Sequence, residues 1–184
     1  PMAHKAVFLD RDGIVTKDVH YCRCPEDLEL LPRVPQAIKL LNEHCYKVVI
    51  LTNQAGVGRG YFNEKTLAEI HEKMKDELAK EGAVVDAIYY CPHHPDDNCS
   101  CRKPKPQLVF RAVQEHNLEL QGAFMVGDRP IDIELGRQAG CRTILVRSSP
   151  SKYVKQKPDF FAPDLTAAVD IMLALDQKED NEQR

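Results

Sequence analysis

Two aspartates, Asp10 and Asp12, stand two residues apart in the segment Phe8–Gly13, FLDRDG, directly after a short apolar run. Carboxylates this close repel each other, and Arg11 is the one countercharge between them. A divalent cation relieves that repulsion, and hard oxygen ligands suit Mg²⁺. Taken alone, D-x-D-G could equally be a turn that Gly13 closes. Three further groups point to chemistry: Thr52 ends a second apolar run, Gly127-Asp128 ends a later one, and Lys103 precedes a helical pattern. A hydroxyl, an ammonium and backbone amides are the donors that phosphoryl oxygens need. Carboxylates on separate strands can hold a metal. The set describes a phosphoryl-transfer site.

Cys91, His93, Cys99 and Cys101 make a second chemical pattern, C-x-H-x5-C-x-C. In extended chain, residues i and i+2 point to the same side, so each pair can offer two ligands to one ion. Three thiolates and an imidazole suit a structural, tetrahedral Zn²⁺ with no open position for catalysis. The pattern lies in residues 91–106, a proline-rich stretch with almost no apolar side chain, which needs something to hold it. His94 is expected to point away from the cluster. Cys22 and Cys24 have no nearby histidine or second pair and are read as non-ligands. Cys45 and Cys141 are expected to be buried thiols. Zinc here would fix the backbone that aims Arg102 and Lys103 into the phosphate pocket.

These residues need a scaffold. Apolar runs at Ala6–Asp10, Val48–Thr52, Ala87–Cys91, Ala123–Gly127 and Thr143–Val146 predict strands buried on both faces of a parallel sheet. Helical patterns fall between them at 64–80, with Asn63 as N-cap, and at 106–116. Another helix starts at Pro130 and stops at Gly140, and a last one covers about 163–175. The βαβα order predicts an α/β three-layer sandwich around a mostly parallel sheet, with a single domain over residues 3–175. The polar residues 176–184 are expected to form a flexible tail. In such sheets ligands bind beyond the carboxyl ends of the strands, where Asp10, Asp12, Thr52 and Asp128 are expected. Residues 56–60, GVGRG, miss the dinucleotide fingerprint by one position and follow the wrong strand; they read as a flexible substrate loop.

Composition narrows the partners. The chain has 184 residues and a net charge of -3, which argues against a nucleic-acid or membrane-surface partner. No stretch approaches the roughly 18 apolar residues of a membrane span, and no secretory pattern opens the chain. A reducing, cytoplasmic setting is expected, where clustered cysteines suggest metal before disulfide. Pro1, ahead of Met2, reads as a remnant of tag cleavage and is set aside.

The order Asp-x-Asp-Gly, strand-end Thr, Lys, strand-end Gly-Asp resembles the haloacid dehalogenase (HAD) superfamily of phosphatases over about residues 5–147. That resemblance implies a cap-less HAD-like fold in which Asp10 is the nucleophile and Asp12 the acid, then the base. It implies Mg²⁺ on the Asp10 and Asp128 side chains and the Asp12 carbonyl, with Thr52 and Lys103 on the phosphoryl group. The zinc loop ahead of Arg102-Lys103-Pro104 resembles the branch of heptose-bisphosphate and histidinol-phosphate phosphatases. TNQAGVGRGYF (52–62), DVHYCRCPEDLELLP (18–32) and IYYCPHHP (88–95) are closer to the heptose enzymes. Arg129, where those enzymes usually carry lysine, cuts the other way. The implied substrate is a small phosphorylated sugar, a heptose 1,7-bisphosphate losing its 7-phosphate, with histidinol phosphate second. The substrate contacts implied are Asp18, Val19, His20, Tyr21, Asn53, Gln54, Ala55, Arg59, Arg102 and Arg129. A monomer is expected. A zinc-stapled binding module and a nucleic-acid-end phosphatase are the alternatives of other classes.

Overall fold

The computed structural model describes residues 2–147 and 156–184; Pro1 lies outside them. Six strands form one sheet: β1 (Ala6–Leu9), β2 (Lys47–Asn53), β3 (Ala87–Cys91), β4 (Phe124–Gly127), β5 (Arg142–Val146) and β6 (Phe160–Ala162). Their order is β3-β2-β1-β4-β5-β6, and every strand pairing is parallel. The helices are α1 (Val34–Glu43), α2 (Ala55–Gly58), α3 (Glu64–Lys80), α4 (Gln107–His116), α5 (Pro130–Ala139) and α6 (Leu165–Glu182).

The four inner strands bury both faces because their side chains alternate between two cores. The edge strands β3 and β6 are partly exposed, so Ala87–Cys91, expected to be buried on both faces, is not. Val7, Leu9, Val48 and Ile50 pack with Ile38, Ile70, Met74 and Met172 on one side. Ala6, Phe8, Val49 and Leu51 pack with Leu108, Val109, Ala112 and Leu135 on the other. The result is the expected α/β/α sandwich. Each fully buried side chain of the size of Leu9 or Phe8 contributes about 1.5–3 kcal/mol. After β1 the chain builds the sheet toward β3, then crosses back past β1 to β4. A crevice therefore opens at the carboxyl ends of β1 and β4, the place such sheets offer a ligand.

Asn63 caps α3 by accepting from the Thr66 amide, and Gly140 ends α5 at φ +84°. Strand β6 was not among the five strands expected, and four further features depart from the sequence reading. Helix α1 starts at Arg33 in left-handed conformation without a side-chain cap, so its usual start signal is missing. The glycine loop is partly helical: α2 forms one turn although two of its four residues are glycine. Cys45 is exposed, because it occupies the left-handed turn after α1 at φ +64°. Helix α6 runs to Glu182, well into the stretch expected to fray. Lys5 and Tyr46 hold Asp176, and Arg142 holds Glu179, so the last turns are pinned to the body.

Candidate active site

Asp10 follows β1, and its amide donates to Val126 of β4 at 3.0 Å. Lys103 Nζ lies 2.8 Å from Asp10 Oδ1, 2.8 Å from Asp132 Oδ1 and 3.0 Å from the Leu51 carbonyl. The Arg11 amide also donates to Asp10 Oδ1, at 2.9 Å. Two donors thus fix one oxygen of Asp10, and no described residue donates to the other. Asp128 follows β4, and one oxygen each of Asp10, Asp128 and Asp132 lie within 4.8 Å of one another. Gly13 makes this approach possible: at φ +86°, a Cβ there would sit 2.2 Å from Asp128 Oδ2.

Electrostatics follow from that crowding. Burial pushes the Asp128 carboxyl up, with Asp10 and Asp132 adding to it, to about 7. Burial raises Asp10 as well, and Lys103 opposes it. Burial works against the Lys103 charge, but Asp10 and Asp132 outweigh it and its pKa is raised. One buried ammonium pairs with two of the three carboxylates, Asp10 and Asp132.

Asp12 is held apart from this group. Arg11 Nη2 donates to both its oxygens at 2.9 and 3.2 Å, and Nε adds a third bond at 3.2 Å. Gln54 Nε2 donates to Asp12 Oδ2 at 3.2 Å and to Thr52 Oγ1 at 2.7 Å. The Thr52 oxygen accepts from Gln54, so its own O–H remains available as a donor.

A cleft of about 160 Å³ opens over these groups, lined by Asp10, Asp12, Lys103 and eight of the expected substrate contacts. Those eight are Asp18, His20, Tyr21, Asn53, Gln54, Ala55, Arg102 and Arg129. Val19 and Arg59 are not among the lining residues; Arg59 Nη1 instead lies 3.2 Å from His94 Nε2. Arg129 pairs with Asp18 at 3.0 Å. Asn53 clamps the Lys103 backbone, accepting from its amide at 3.0 Å and donating to its carbonyl at 3.3 Å. Asp128 instead lines, with Gly13, a larger cleft of about 550 Å³ that none of the other reactive groups lines.

The sulfur and nitrogen atoms of Cys91, His93, Cys99 and Cys101 converge as their spacing predicts. The Cys91–Cys99 and Cys99–Cys101 sulfurs are 3.5 and 3.8 Å apart, and His93 Nδ1 is 3.2 Å from Cys101 Sγ. Thiolates at about 2.3 Å from a tetrahedral zinc stand roughly 3.8 Å apart, so the set fits that ion. His94 turns away and caps the short 3₁₀ turn Pro95–Asp97. The loop docks on α2 closely enough that a Cβ on Gly58 would lie 2.3 Å from the His94 amide nitrogen.

The HAD-hydrolase-like family profile matches residues 100–168. A probable D-glycero-D-manno-heptose-1,7-bisphosphate 7-phosphatase of Thermoplasma volcanium is 40% identical over 135 residues, 73% of this chain and 92% of that protein. The D-glycero-beta-D-manno-heptose-1,7-bisphosphate 7-phosphatase of Bordetella bronchiseptica is 43% identical, over 78% of this chain and 81% of its own. The chain belongs to the heptose-bisphosphate phosphatase family of HAD-like hydrolases. The crystal structure of the B. bronchiseptica D,D-heptose 1,7-bisphosphate phosphatase with magnesium and phosphate superimposes with a TM-score of 0.86 at 38% identity. It covers 92% of this chain and 98% of that one.

In this family member the acidic corner has the chemistry of a divalent-cation site. Asp128 Oδ1 is buried and has no hydrogen-bond partner among the described residues, which an oxygen-seeking cation would supply. Asp132 was missed in the sequence. Its signal is its place in the first turn of α5, four residues after Asp128, where a side chain can reach back to the strand end. Arg11 and His71 were also missed as a pair: the Arg11 side chain is buried and reaches His71 on α3. Nothing in the spacing of residues 11 and 71 announces that contact. Among the described residues, no helix is long and apolar enough to cross a membrane.

Proposed function

We propose that this protein removes the 7-phosphate of D-glycero-D-manno-heptose 1,7-bisphosphate, with Mg²⁺, through an aspartyl-phosphate. The observation that carries the reading is the corner where Asp10, Asp128, Asp132 and Lys103 meet beside a separately held Asp12. The relatives named for this reaction give the substrate.

Asp10 attacks phosphorus through the oxygen that Lys103 and the Arg11 amide leave free. As that bond forms, the bond to the sugar oxygen breaks, and Asp12 protonates the leaving oxygen. Asp12 then takes a proton from water as the water oxygen attacks phosphorus and the Asp10–phosphorus bond breaks. Lys103 and the Thr52 hydroxyl hold the phosphoryl oxygens through both steps. Mg²⁺, bound by the Asp10 and Asp128 side chains and the Asp12 carbonyl, offsets the charge that otherwise separates a carboxylate from a phosphate. Zn²⁺ on Cys91, His93, Cys99 and Cys101 holds the loop that delivers Arg102 and Lys103. Reduced thiols are kept for that ion in the cytoplasm, the setting we assign, and the working unit is read as a monomer.

Arg102 takes the phosphate that does not react: it lines the cleft, and its buried Nη1 has no partner among the described residues. Histidinol phosphate would need an acidic patch for its amine. Of Asp18, Glu26 and Asp27 only Asp18 lines the cleft, and Arg129 already neutralises it.

The test is phosphate release from heptose 1,7-bisphosphate, histidinol phosphate and fructose 1,6-bisphosphate, with and without Mg²⁺, with phosphorus NMR of the product. The expected product is the heptose 1-phosphate. Equal turnover of all three substrates, or loss of the 1-phosphate, would overturn the assignment.

A further inference from the structure

Arg11 is a charged side chain with 1% exposure, among the largest fully buried in the protein. A cation taken out of water must be paired, and its carboxylate partner is Asp12, the next residue. Three hydrogen bonds from its Nε and Nη2 converge on the two Asp12 oxygens, the fork geometry that fixes a carboxylate plane as well as its charge. The remaining terminal nitrogen, Nη1, lies 3.2 Å from His71 Nε2, a ring that is 6% exposed on the buried face of α3. A guanidinium has only donors, so Nε2 must accept and the imidazole is the neutral Nδ1–H tautomer. Thr16 Oγ1 at 3.4 Å and Gln54 Nε2 at 3.2 Å complete the contacts of Asp12. A line of contacts thus runs from α3 through Arg11 to the carboxylate that the reaction uses twice.

We propose that Arg11 and His71 are positioning residues that hold the Asp12 carboxylate for proton transfer at the leaving oxygen. The inference rests on the reading of Asp12 as the acid–base residue. When the phosphorus–oxygen bond to the sugar breaks, the Asp12 O–H bond breaks with it. The proton goes to the leaving oxygen and the electron pair stays on a carboxylate already aimed and countered by Arg11. In the second half-reaction that carboxylate, in the same place, receives a proton from water. His71 touches neither substrate nor Asp12; it keeps the guanidinium from turning away.

The leaving group separates this role from a structural one. A sugar alkoxide needs the proton, whereas 4-nitrophenolate leaves without it. His71→Leu keeps most of the bulk and removes the acceptor. With Mg²⁺ supplied, its first-turnover rate of leaving-group release, read before Asp12 acts as base, should fall roughly tenfold or more on heptose 1,7-bisphosphate and less than about threefold on 4-nitrophenyl phosphate. His71→Gln, whose amide oxygen can accept from Arg11, should restore most of the loss. In an Asp12→Asn background, His71→Leu should cost no further turnover of the sugar. Equal losses on both substrates, or a full further loss in that background, overturn the proposal. If circular dichroism shows His71→Leu unfolded, Arg11→Lys is judged by the same two substrates and the same criteria. Asp12→Asn alone reports on the underlying reading. If it lowers first-turnover leaving-group release from both substrates alike, Asp12 is not the acid and both readings fall; if it discriminates there and the His71 and Arg11 variants do not, only this one does.

Discussion

Lys103 Nζ stands 2.8 Å from Asp132 Oδ1, with the two side chains 2% and 0% exposed. The other Asp132 oxygen accepts from the Arg129 amide at 3.2 Å, so one carboxylate both caps α5 and holds the ammonium. Gly127 leaves room for it: a Cβ there would fall 2.2 Å from the Asp132 Cβ. Asp132→Asn keeps the shape and removes one of the two charges on Lys103. The lost charge-assisted bond is worth about 1.5–3 kcal/mol, so kcat should fall roughly ten- to a hundredfold with KM little changed. Steady-state kinetics on the purified variant checks this; wild-type turnover would show that Asp10 and the Leu51 carbonyl hold Lys103 without Asp132.

Arg102 and Lys103 are neighbours with different tasks. Arg102→Ala should reduce kcat/KM for the bisphosphate by about tenfold to over a hundredfold and spare a monophosphate, because the lost contact is to the phosphate that does not react. Lys103→Ala should lower every substrate alike, mainly in kcat. Measuring both variants on heptose 1,7-bisphosphate and 4-nitrophenyl phosphate separates the two; an equal loss in Arg102→Ala would move that residue to the reacting phosphate.

The thiolate cluster should hold close to one zinc per chain in fresh, reduced protein, while activity still needs added Mg²⁺. Cys99→Ser should release the zinc. Asn53 grips the Lys103 backbone independently of the metal, so part of the activity should survive. Elemental analysis alongside turnover is the measurement, and zinc-free wild-type protein of full activity would count against the staple.

His71 gives a stability prediction with a definite sign. Burial, then the Arg11 and Lys75 charges, hold its pKa down to about 3. The folded value lies below the unfolded one, so the unfolded chain takes the proton first as pH falls. This cost is absent above about pH 6.5 and grows toward pH 3 by up to roughly 1.4 kcal/mol per unit. Between pH 7 and 5 the wild type should therefore lose about 2 kcal/mol more than His71→Gln. Urea unfolding of both proteins at the two pH values reads this out, and parallel losses would mean that His71 titrates normally.

Much of the site could be read from the chain because each motif is local. Asp10, Thr52 and Asp128 sit at strand ends marked by apolar runs, and a parallel sheet brings such ends to one edge whatever the loops do. The convergence of Cys91, His93, Cys99 and Cys101 was legible for the same reason: i, i+2 pairs in extended chain face one way. Helix α3 and its Asn63 cap, and the Pro130 start and Gly140 stop of α5, are likewise short-range signals.

What the tertiary structure decided are contacts between residues far apart in sequence or elements without local signals. No spacing rule links Arg11 to His71, or Asn53 to the Lys103 backbone; each needs the sheet to be assembled first. Helix α2 forms against glycine propensity where the loop after β3 packs on it, and α6 outruns its apolar face because Lys5, Tyr46 and Arg142 reach its polar end. Asp132 lies between the two cases. Its sequence position is ordinary for a helix start, and only the burial of Lys103 beside it, in a corner that three carboxylates share, makes that one aspartate part of the site. Local chemistry thus named the reactive groups, while their charge states and fixed orientations came from desolvation and long-range pairing, which exist only once the chain has folded.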